Sequence, residues 1–179
     1  MLPFEGIKVV EFAQFVAAPI CGRALAEWGA EIIKIESLTG DHNREQGLIN
    51  GMPIEEDDDP TMDSTSVNKR FISINARSAE GVAVIHRLLE TADVFLTNYR
   101  VQVLESLGLD WPTLHKKYPG LVWARVTGFG EEGPDKDAPG YDTVSCFARG
   151  GISGTWYPKG TEPLIPMAAF GDNITGMML

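Results

Sequence analysis

Residues 7–36 read IKVVEFAQFVAAPICGRALAEWGAEIIKIE, and this stretch decides the fold of the chain. Residues 7–12 form a short apolar run that is typical of a buried strand, and residues 31–36 form a second one. Between them, residues 20–28 carry apolar side chains at helical spacing, and Gly29 ends that pattern as a glycine after a helix commonly does. A strand, a helix and a strand within about thirty residues predict a βαβ unit, so the two strands are expected to be parallel.

The same alternation of strands and helices continues through the chain. We predict further strands at residues 71–75, 93–97 and 121–127, and helices at residues 78–91, 101–107, 111–118 and 141–149. The segment 37–67 is long, polar and without periodicity, so we expect a loop that is functional or mobile. Together these patterns predict an α/β fold, namely an open, mostly parallel, Rossmann-like sheet with helices on both faces.

Four loops follow from this fold as candidates for a ligand site. In open α/β sheets, ligands bind outside the carboxyl ends of the strands. The loops expected at that edge are residues 13–19, 37–44, 97–100 and 128–133. The rule is geometric, and it selects loops without naming a ligand.

The composition limits the kinds of partner. The chain has 179 residues, 44% hydrophobic and 22% charged, which suits one globular domain of ordinary size. Its formal net charge of −10 argues against binding nucleic acid or an anionic membrane through a general positive field, but allows a local basic pocket for a phosphorylated cofactor. Cys21 and Cys146 are far apart and lack metal-ligand spacing, which favours a reducing, cytoplasmic setting.

The two ends of the sequence carry different expectations. The first residues lack a signal-peptide pattern, and no apolar run reaches the length of a membrane span. At the other end, residues 177–179 (MML) lie inside an apolar segment without a capping signal. We therefore expect the chain to be a piece of a longer protein.

Residues 128–133, GFGEEG, have the letters of a dinucleotide-binding fingerprint and follow a predicted strand. The fingerprint also needs a helix whose first amides meet a pyrophosphate. Here Pro134 and Pro139 bracket a polar stretch in which no long helix begins, and Glu131 and Glu132 would repel phosphates. We therefore do not predict an NAD site.

Other polar clusters have simple explanations. The acidic run at residues 55–59 lacks the ligand spacing of a calcium loop, so we expect a solvated surface. The histidines His42, His86 and His115 are scattered, and neither a Ser–His nor a Cys–His arrangement follows from their spacing; no metal site is predicted. Residues 68–70 (NKR) suit either a solvated start of the following strand or a contact to phosphate or carboxylate.

Residues 171–176, GDNITG, open the last apolar run. We predict Asp172 as the N-cap of a helix, where the partial positive charge of the helix start favours the ionised carboxylate. Gly171 leaves room for a backbone or a ligand, and Gly176 allows tight helix packing. An ionised carboxylate with small neighbours can act as a nucleophile. From these six residues alone, an ordinary capping aspartate with two packing glycines is the simpler interpretation.

Several stretches taken together in order resemble one family. They are residues 6–12, residues 29–36, Gly40-Asp41 with Arg44, residues 68–70, residues 92–94, residues 128–130 with Gly133-Pro134, residues 139–142, and Gly171-Asp172 with Gly176. The set resembles the amino-terminal part of class III CoA-transferases, the CaiB/BaiF family, over nearly the whole chain. This resemblance implies that residues 1–179 are the amino-terminal part of a large domain, that the rest of that domain and a small domain are absent, and that the full-length protein is an interlocked homodimer.

The resemblance also implies a site. Asp172 stands where the family has its catalytic aspartate, which attacks an acyl-CoA thioester; CoA and acyl-CoA are substrates, and no permanently bound cofactor or metal is implied. The positions that match family contacts to CoA are Val16, Ala17, Gly40, Asp41, Arg44, Lys69, Arg70, Asn98 and Tyr99. Some relatives have arginine in place of Ser37 and lysine in place of Thr127, so Arg44 and Lys69 are expected to substitute for them.

One position separates two activities of the superfamily. The α-methylacyl-CoA racemases pair the aspartate with a histidine where this chain has Tyr141, and a phenol with an unperturbed pKa of about 10 is a poor base near neutral pH. The chain is most similar to transferases for 2-hydroxy acids, such as the aryl-lactate and 2-hydroxyisocaproate enzymes, in residues 130–137, 147–151 and 153–155. A racemase-like enzyme and a non-catalytic CoA-binding protein stay as alternatives.

Overall fold

A single parallel sheet forms the centre of the molecule in this computed structural model, which describes residues 1–55, 58–163 and 169–179. The strands are β1 (Lys8–Phe12), β2 (Glu31–Glu36), β3 (Lys69–Ser73), β4 (Val94–Thr97) and β5 (Val122–Arg125). Their order is β3-β2-β1-β4-β5, and every pairing is parallel. The βαβ prediction and the predicted fold class are therefore confirmed.

The helices surround this sheet. They are α1 (Ala17–Glu27), α2 (Asn43–Ile49), α3 (Pro60–Ser66), α4 (Ala79–Leu89), α5 (Val101–Leu107), α6 (Trp111–Lys117), a π-helix (Thr143–Arg149), α7 (Ile152–Thr155) and α8 (Phe170–Met178). Within the described parts of the chain, no helix is long and apolar enough to cross a lipid bilayer.

Both faces of the sheet are covered, as the alternation predicted. One face carries Val10 and Phe95 and packs against side chains of α4, α5 and α6. The other face carries Val9 and Leu96 and packs against α1. Because successive side chains of a strand point to opposite faces, one short apolar run supplies both layers of the core.

The segment 37–67 differs from its prediction. It contains α2 and α3 instead of one long loop, and Asp59 caps α3 by accepting hydrogen bonds from the amides of Thr61 and Met62 at 3.1 and 3.0 Å. Their sequences, NREQGLI and PTMDSTS, contain too few apolar residues to show a helical period. One member of the acidic run is thus a helix cap, whereas residues 56–57 of that run lie outside the described residues.

Strand β3 begins at Lys69, two residues before the predicted start. Lys69 pairs with Ile32 in the parallel register of β2 and β3, so it belongs to the sheet. Helix α1 likewise begins at Ala17, three residues earlier than predicted. By contrast, α5 spans residues 101–107 as predicted, and Gly108 ends it in the left-handed conformation at φ 67°.

Candidate active site

An open cleft of about 610 Å³ lies at the carboxyl edge of β1, β4 and β5. Residues of three predicted loops line it, among them Gln14 after β1, Asn98 after β4 and Gly128 after β5. The fourth predicted loop, residues 37–44, does not line it. A smaller cavity of about 140 Å³ lies at the opposite, amino end of the strands.

Asp172 lines the cleft, but it does not cap its helix. Helix α8 begins at Phe170, its N-cap is Ala169 in the left-handed conformation at φ 56°, and Asp172 is the third helical residue. The prediction of Asp172 as N-cap was therefore wrong. The carboxylate of Asp142 takes over the role of an acceptor at the helix start, because its Oδ1 accepts a hydrogen bond from the amide of Asp172 at 3.0 Å.

The position of Asp172 raises its pKa from the ordinary 3.8 to about 6. Partial burial is the larger cause, and the negative charge of Asp142 adds to it. Both effects oppose the partial positive charge of the helix start, which favours the ionised form. At pH 7 about nine-tenths of the carboxyl groups are still ionised.

The carboxylate of Asp172 has room in which to react. Within the described residues, no hydrogen bond or ion pair to either of its oxygens is found. The side chain is half-buried at the cleft wall, so it is shielded from water on one side and open to the cleft on the other. Among the described residues the carboxylate of Asp172 thus has no ion-pair or hydrogen-bond partner, and a carboxylate that is partly shielded from water in this way can act as a nucleophile.

The two glycines near Asp172 fix its helix by close packing. A Cβ on Gly171 would collide with the side chains of Cys146 and Asp142. A Cβ on Gly176 would collide with the carbonyl oxygen of Ala17 and lie 2.9 Å from Cβ of Ile20. Gly171 thus leaves room for another part of the protein, the π-helix, and Gly176 allows α8 to pack on α1.

Aromatic side chains form another part of the cleft wall. The rings of Phe15 and Tyr141 meet edge to face with their centroids 5.9 Å apart, and Tyr141 is 58% exposed. The ring of His42 stacks on Phe15 at 5.8 Å, but His42 does not line the cleft. Among the described residues that line the cleft there is no histidine, and no group of three or more potential ligand side chains is placed to hold a metal ion.

The nine positions that match family contacts to CoA fall into two groups. Ala17, Asn98 and Tyr99 line the cleft. Those that do not line it are Val16, Gly40, Asp41, Arg44, Lys69 and Arg70. The structure therefore brings three of the nine together with Asp172.

The cationic members of the second group are engaged elsewhere. The ammonium group of Lys69 is buried, with Glu11 Oε2 at 2.6 Å and the carbonyl oxygen of Pro19 at 2.7 Å. Arg70 pairs with Glu31 at 3.1 Å on the surface near the amino ends of the strands. Arg44 pairs with Glu36 through two hydrogen bonds. These bonds and the charges of nearby carboxylates raise the pKa of Arg44 by more than burial lowers it, so the pKa lies above its ordinary value.

Among the described residues, three other cationic side chains line the cleft and were missed as site residues: Arg100, Arg125 and Lys136. Arg125 is the last residue of β5, its side chain is 6% exposed, and its guanidinium lies 5.3 Å from the ring of Trp123. It pairs with Glu131 at 2.7 Å. Arg100 could have been found from the sequence, because it ends the loop 97–100, and ligands of open α/β sheets bind at such loops outside the carboxyl ends of the strands.

Comparisons with known proteins find relatives in sequence and in fold. The sequence model of CoA-transferase family III matches residues 4–179. The (R)-2-hydroxy-4-methylpentanoate CoA-transferase of Clostridioides difficile is 46% identical over 175 residues, which cover 98% of this chain and 44% of the relative. The cinnamoyl-CoA:phenyllactate CoA-transferase of Clostridium sporogenes is 48% identical over 176 residues, with 98% and 43% covered.

A solved structure extends the likeness to three dimensions. A CaiB/BaiF family protein from Brucella suis superposes with a TM-score of 0.89 at 34% sequence identity, covering 99% of this chain and 47% of that one. The chain thus spans less than half the length of the relatives it matches. With matches over nearly all of its own length, the chain belongs to CoA-transferase family III, the CaiB/BaiF family.

Proposed function

We propose that the protein with this chain transfers CoA from an acyl-CoA to a carboxylic acid, and that Asp172 is the nucleophile. The observation that carries the proposal is the half-buried carboxylate of Asp172 in the cleft, without a partner among the described residues. A 2-hydroxy acid is the proposed acceptor, because the two relatives at 46% and 48% identity are named for 2-hydroxy-4-methylpentanoate and phenyllactate.

The first half of the reaction loads CoA onto Asp172. One carboxylate oxygen attacks the carbonyl carbon of the donor thioester, the carbon–sulfur bond breaks, and the electron pair leaves with sulfur as the CoA thiolate. The product on the protein is a mixed anhydride of Asp172 and the donor acid. The thiolate then attacks the carbonyl carbon of Asp172, which releases the donor carboxylate and leaves an aspartyl-CoA thioester.

The second half repeats these steps with the acceptor. The acceptor carboxylate attacks the aspartyl thioester, and CoA leaves again as thiolate. The thiolate attacks the acceptor's carbonyl carbon in the new anhydride, forms the product thioester, and regenerates the carboxylate of Asp172. No proton is consumed in the sum of the steps, so the chain needs an ionised carboxylate and no general base.

Backbone amides at the start of α1 are the proposed support for the developing oxyanion. Ala17 lines the cleft as the first residue of α1, and the side chain of Val16 at the N-cap makes no capping hydrogen bond. The first amides of a helix point along its axis and have no acceptor within the helix. Fixed amides of this kind stabilise negative charge that forms during the reaction.

The phosphates of CoA are proposed to meet the cations of the cleft. Arg100 and Lys136 are exposed at the cleft and Arg125 is mostly buried there, whereas Lys69 is engaged inside the protein. Arg100→Ala should raise the KM for acyl-CoA about tenfold, but change little the KM for the matching acyl-pantetheine, which lacks phosphates. An equal effect on both substrates would contradict this role.

The remaining features of the complete protein are proposals from the family. We propose that it contains the rest of the large domain and a small domain, forms a homodimer, and works in the cytoplasm without a permanently bound cofactor or metal. Size measurement in solution and metal analysis of the purified complete protein test these statements.

The proposed activity is tested with the complete protein, an acyl-CoA donor and a panel of carboxylic acids that includes 2-hydroxy acids with branched and aromatic side chains. Mass spectrometry of the products should show a new acyl-CoA for at least one 2-hydroxy acid, and Asp172→Ala should lose at least about a thousandfold in rate. Transfer that survives Asp172→Ala would contradict the proposal.

Assays on the same complete protein distinguish CoA transfer from the two alternatives, a racemase-like enzyme and a non-catalytic CoA-binding protein. A racemase would exchange the α-proton of an acyl-CoA with deuterated water in the absence of an acceptor acid. We do not expect this exchange because Tyr141 stands at the cleft where the racemases have a histidine. A non-catalytic CoA-binding protein would bind CoA and give neither transfer nor exchange.

A further inference from the structure

Side chains from two other loops hold the backbone of residues 13–15, which enters the cleft wall after β1. The side chain of Asn98 binds both backbone polar groups of Gln14. Its Oδ1 accepts a hydrogen bond from the backbone N–H of Gln14 at 3.0 Å, and its Nδ2 donates one to the backbone carbonyl oxygen of Gln14 at 2.6 Å. Asp41 Oδ1 accepts from the amide of Phe15 at 2.9 Å. Two consecutive residues of this loop are thus bound by side chains distant in the sequence.

A buried ionic cluster stands behind this contact. The ammonium group of Lys34 lies 2.8 Å from Asp41 Oδ2 and 3.1 Å from Glu11 Oε1, and it also donates to the carbonyl oxygen of Ala13 at 3.0 Å. Glu11 in turn lies 2.6 Å from Lys69. These four charged side chains are at most 1% exposed, and their two positive and two negative charges balance.

The pKa of Lys34 fits this arrangement. Burial lowers the pKa, but the two carboxylates of Glu11 and Asp41 outweigh burial, so the pKa is raised above its ordinary value. Lys34 therefore stays charged near neutral pH, and Asp41 has a fixed cationic partner that holds its carboxylate in one orientation.

The loop needs such support because Phe15 is held in an unfavourable conformation. Its φ is +61°, in the left-handed region that bulky residues avoid because of steric strain. A conformation of this kind persists only where the surroundings determine it. Phe15 lines the cleft, meets Tyr141 there, and leads within two residues into the first residue of α1, Ala17.

We propose that Asp41 and Asn98 are positioning residues that hold Phe15 in the left-handed conformation and so fix the cleft wall and the first amides of α1. This inference rests on the proposed function. It assigns the carboxylate of Asp41 to the inside of the protein, bound to Phe15, Lys34 and the amide of Asn43, instead of to a contact with CoA.

Amide hydrogen exchange of the complete protein tests the hydrogen bonds of Asn98 and Asp41 to this backbone without reference to activity. The amides of Gln14 and Phe15 should be strongly protected in the native protein. Asn98→Ala should remove most of the protection of Gln14, and Asn98→Asp should retain part of it, because an acceptor oxygen for the Gln14 amide remains although the donor to the Gln14 carbonyl oxygen is lost. Asp41→Asn should reduce the protection of Phe15 less than Asp41→Ala does, for the same reason. Unprotected amides in the native protein would overturn the proposal.

Kinetics and CoA binding then separate positioning from contact. For Asp41→Asn and Asn98→Asp we expect kcat to fall about ten- to a hundredfold, while the dissociation constant for CoA changes less than about threefold. Thr39→Ala is the matched control, because Thr39 lies in the same loop as the buried Asp41 but is exposed; it should leave both values unchanged. A large loss of CoA affinity with unchanged kcat would make these residues CoA contacts and overturn the proposal. Protected amides in a native protein without transferase activity would overturn the proposed function alone.

Discussion

Asp142 Oδ1 accepts a hydrogen bond from the backbone amide of Asp172 at 3.0 Å, which places a second acidic side chain beside the proposed nucleophile. Asp142 is itself buried, with only 8% of its surface exposed. Its second oxygen, Oδ2, has no hydrogen-bond partner among the described residues. The protonation of Asp172 therefore depends on Asp142 as well as on burial.

The first prediction concerns the pH dependence of catalysis. Because the pKa of Asp172 is raised to about 6, kcat/KM should rise about tenfold per pH unit below pH 6 and level off above pH 7. Asp142→Asn keeps an oxygen for the Asp172 amide but removes the negative charge, so the rising limb should move to lower pH by roughly half a unit to one unit. An unchanged limb in Asp142→Asn would show that Asp142 does not influence this ionisation.

The second prediction concerns stability. The folded-state pKa of Asp172 lies above its ordinary 3.8, so folding favours the neutral form. The associated stability is fully present below about pH 4 and is lost as pH rises through about 6. Since the side chain is only partly buried, we expect Asp172→Asn to raise the free energy of unfolding by about 1–2 kcal/mol at pH 8.

Urea unfolding of the complete protein at pH 4 and at pH 8 measures this difference. At pH 4 the native protein and Asp172→Asn should have nearly equal free energies of unfolding, because aspartic acid is then neutral in the folded state. A stabilisation of equal size at both pH values would indicate a packing effect and contradict the electrostatic explanation.

The sequence predicts the sheet well because its signals are local. The buried strands at 7–12 and 31–36 and the helix at 101–107 carry runs or periods that one segment reveals by itself. The helices within 37–67 were not predicted because their sequences are mostly polar, and even their buried residues include Asn43 and Thr65. The start of α8 was predicted wrongly for a different reason. The acceptor for the backbone amide of Asp172 comes from Asp142, thirty residues earlier in the sequence.

The site was only partly predictable for the same physical reason. The position of Asp172 followed from the resemblance, and the structure brings Ala17, Asn98 and Tyr99 to the same cleft. The burial of Lys69 did not follow, because it depends on Glu11, which is 58 residues away in the sequence. Charge in a sequence indicates which side chains could bind an anion, whereas only the packing determines which of them are already neutralised.

The third prediction concerns the packing of Gly171. Gly171→Ala would press a methyl group into Cys146 and Asp142, so α8 must shift and carry Asp172 with it. We expect a loss of about 2–3 kcal/mol in stability and about a hundredfold in kcat. Gly154→Ala is the matched control, because a Cβ there meets no atom within 4 Å; it should leave both quantities nearly unchanged. Thermal unfolding and steady-state kinetics on the two variants measure these effects, and equal behaviour would contradict the packing argument.

The fourth prediction concerns the buried cluster. Lys34→Met would leave the carboxylates of Glu11 and Asp41 buried with one cation instead of two, which should cost about 3–5 kcal/mol. The exposed pair of Arg70 and Glu31 is the comparison, because its side chains are 68% and 54% exposed. Arg70→Ala should cost at most about 1 kcal/mol. Denaturant titration of both variants checks the contrast; a small cost for Lys34→Met would mean that the cluster is not a structural support.

Chemical trapping tests the role of Asp172 most directly. The complete protein is mixed with an acyl-CoA donor without acceptor acid, quenched with hydroxylamine or borohydride, digested and examined by mass spectrometry. We expect the hydroxamate or the reduced alcohol on the peptide that contains Asp172, and on no peptide of Asp172→Asn. A protein that turns over acyl-CoA and acid while Asp172 stays unlabelled, or a label on a different carboxylate, would contradict it.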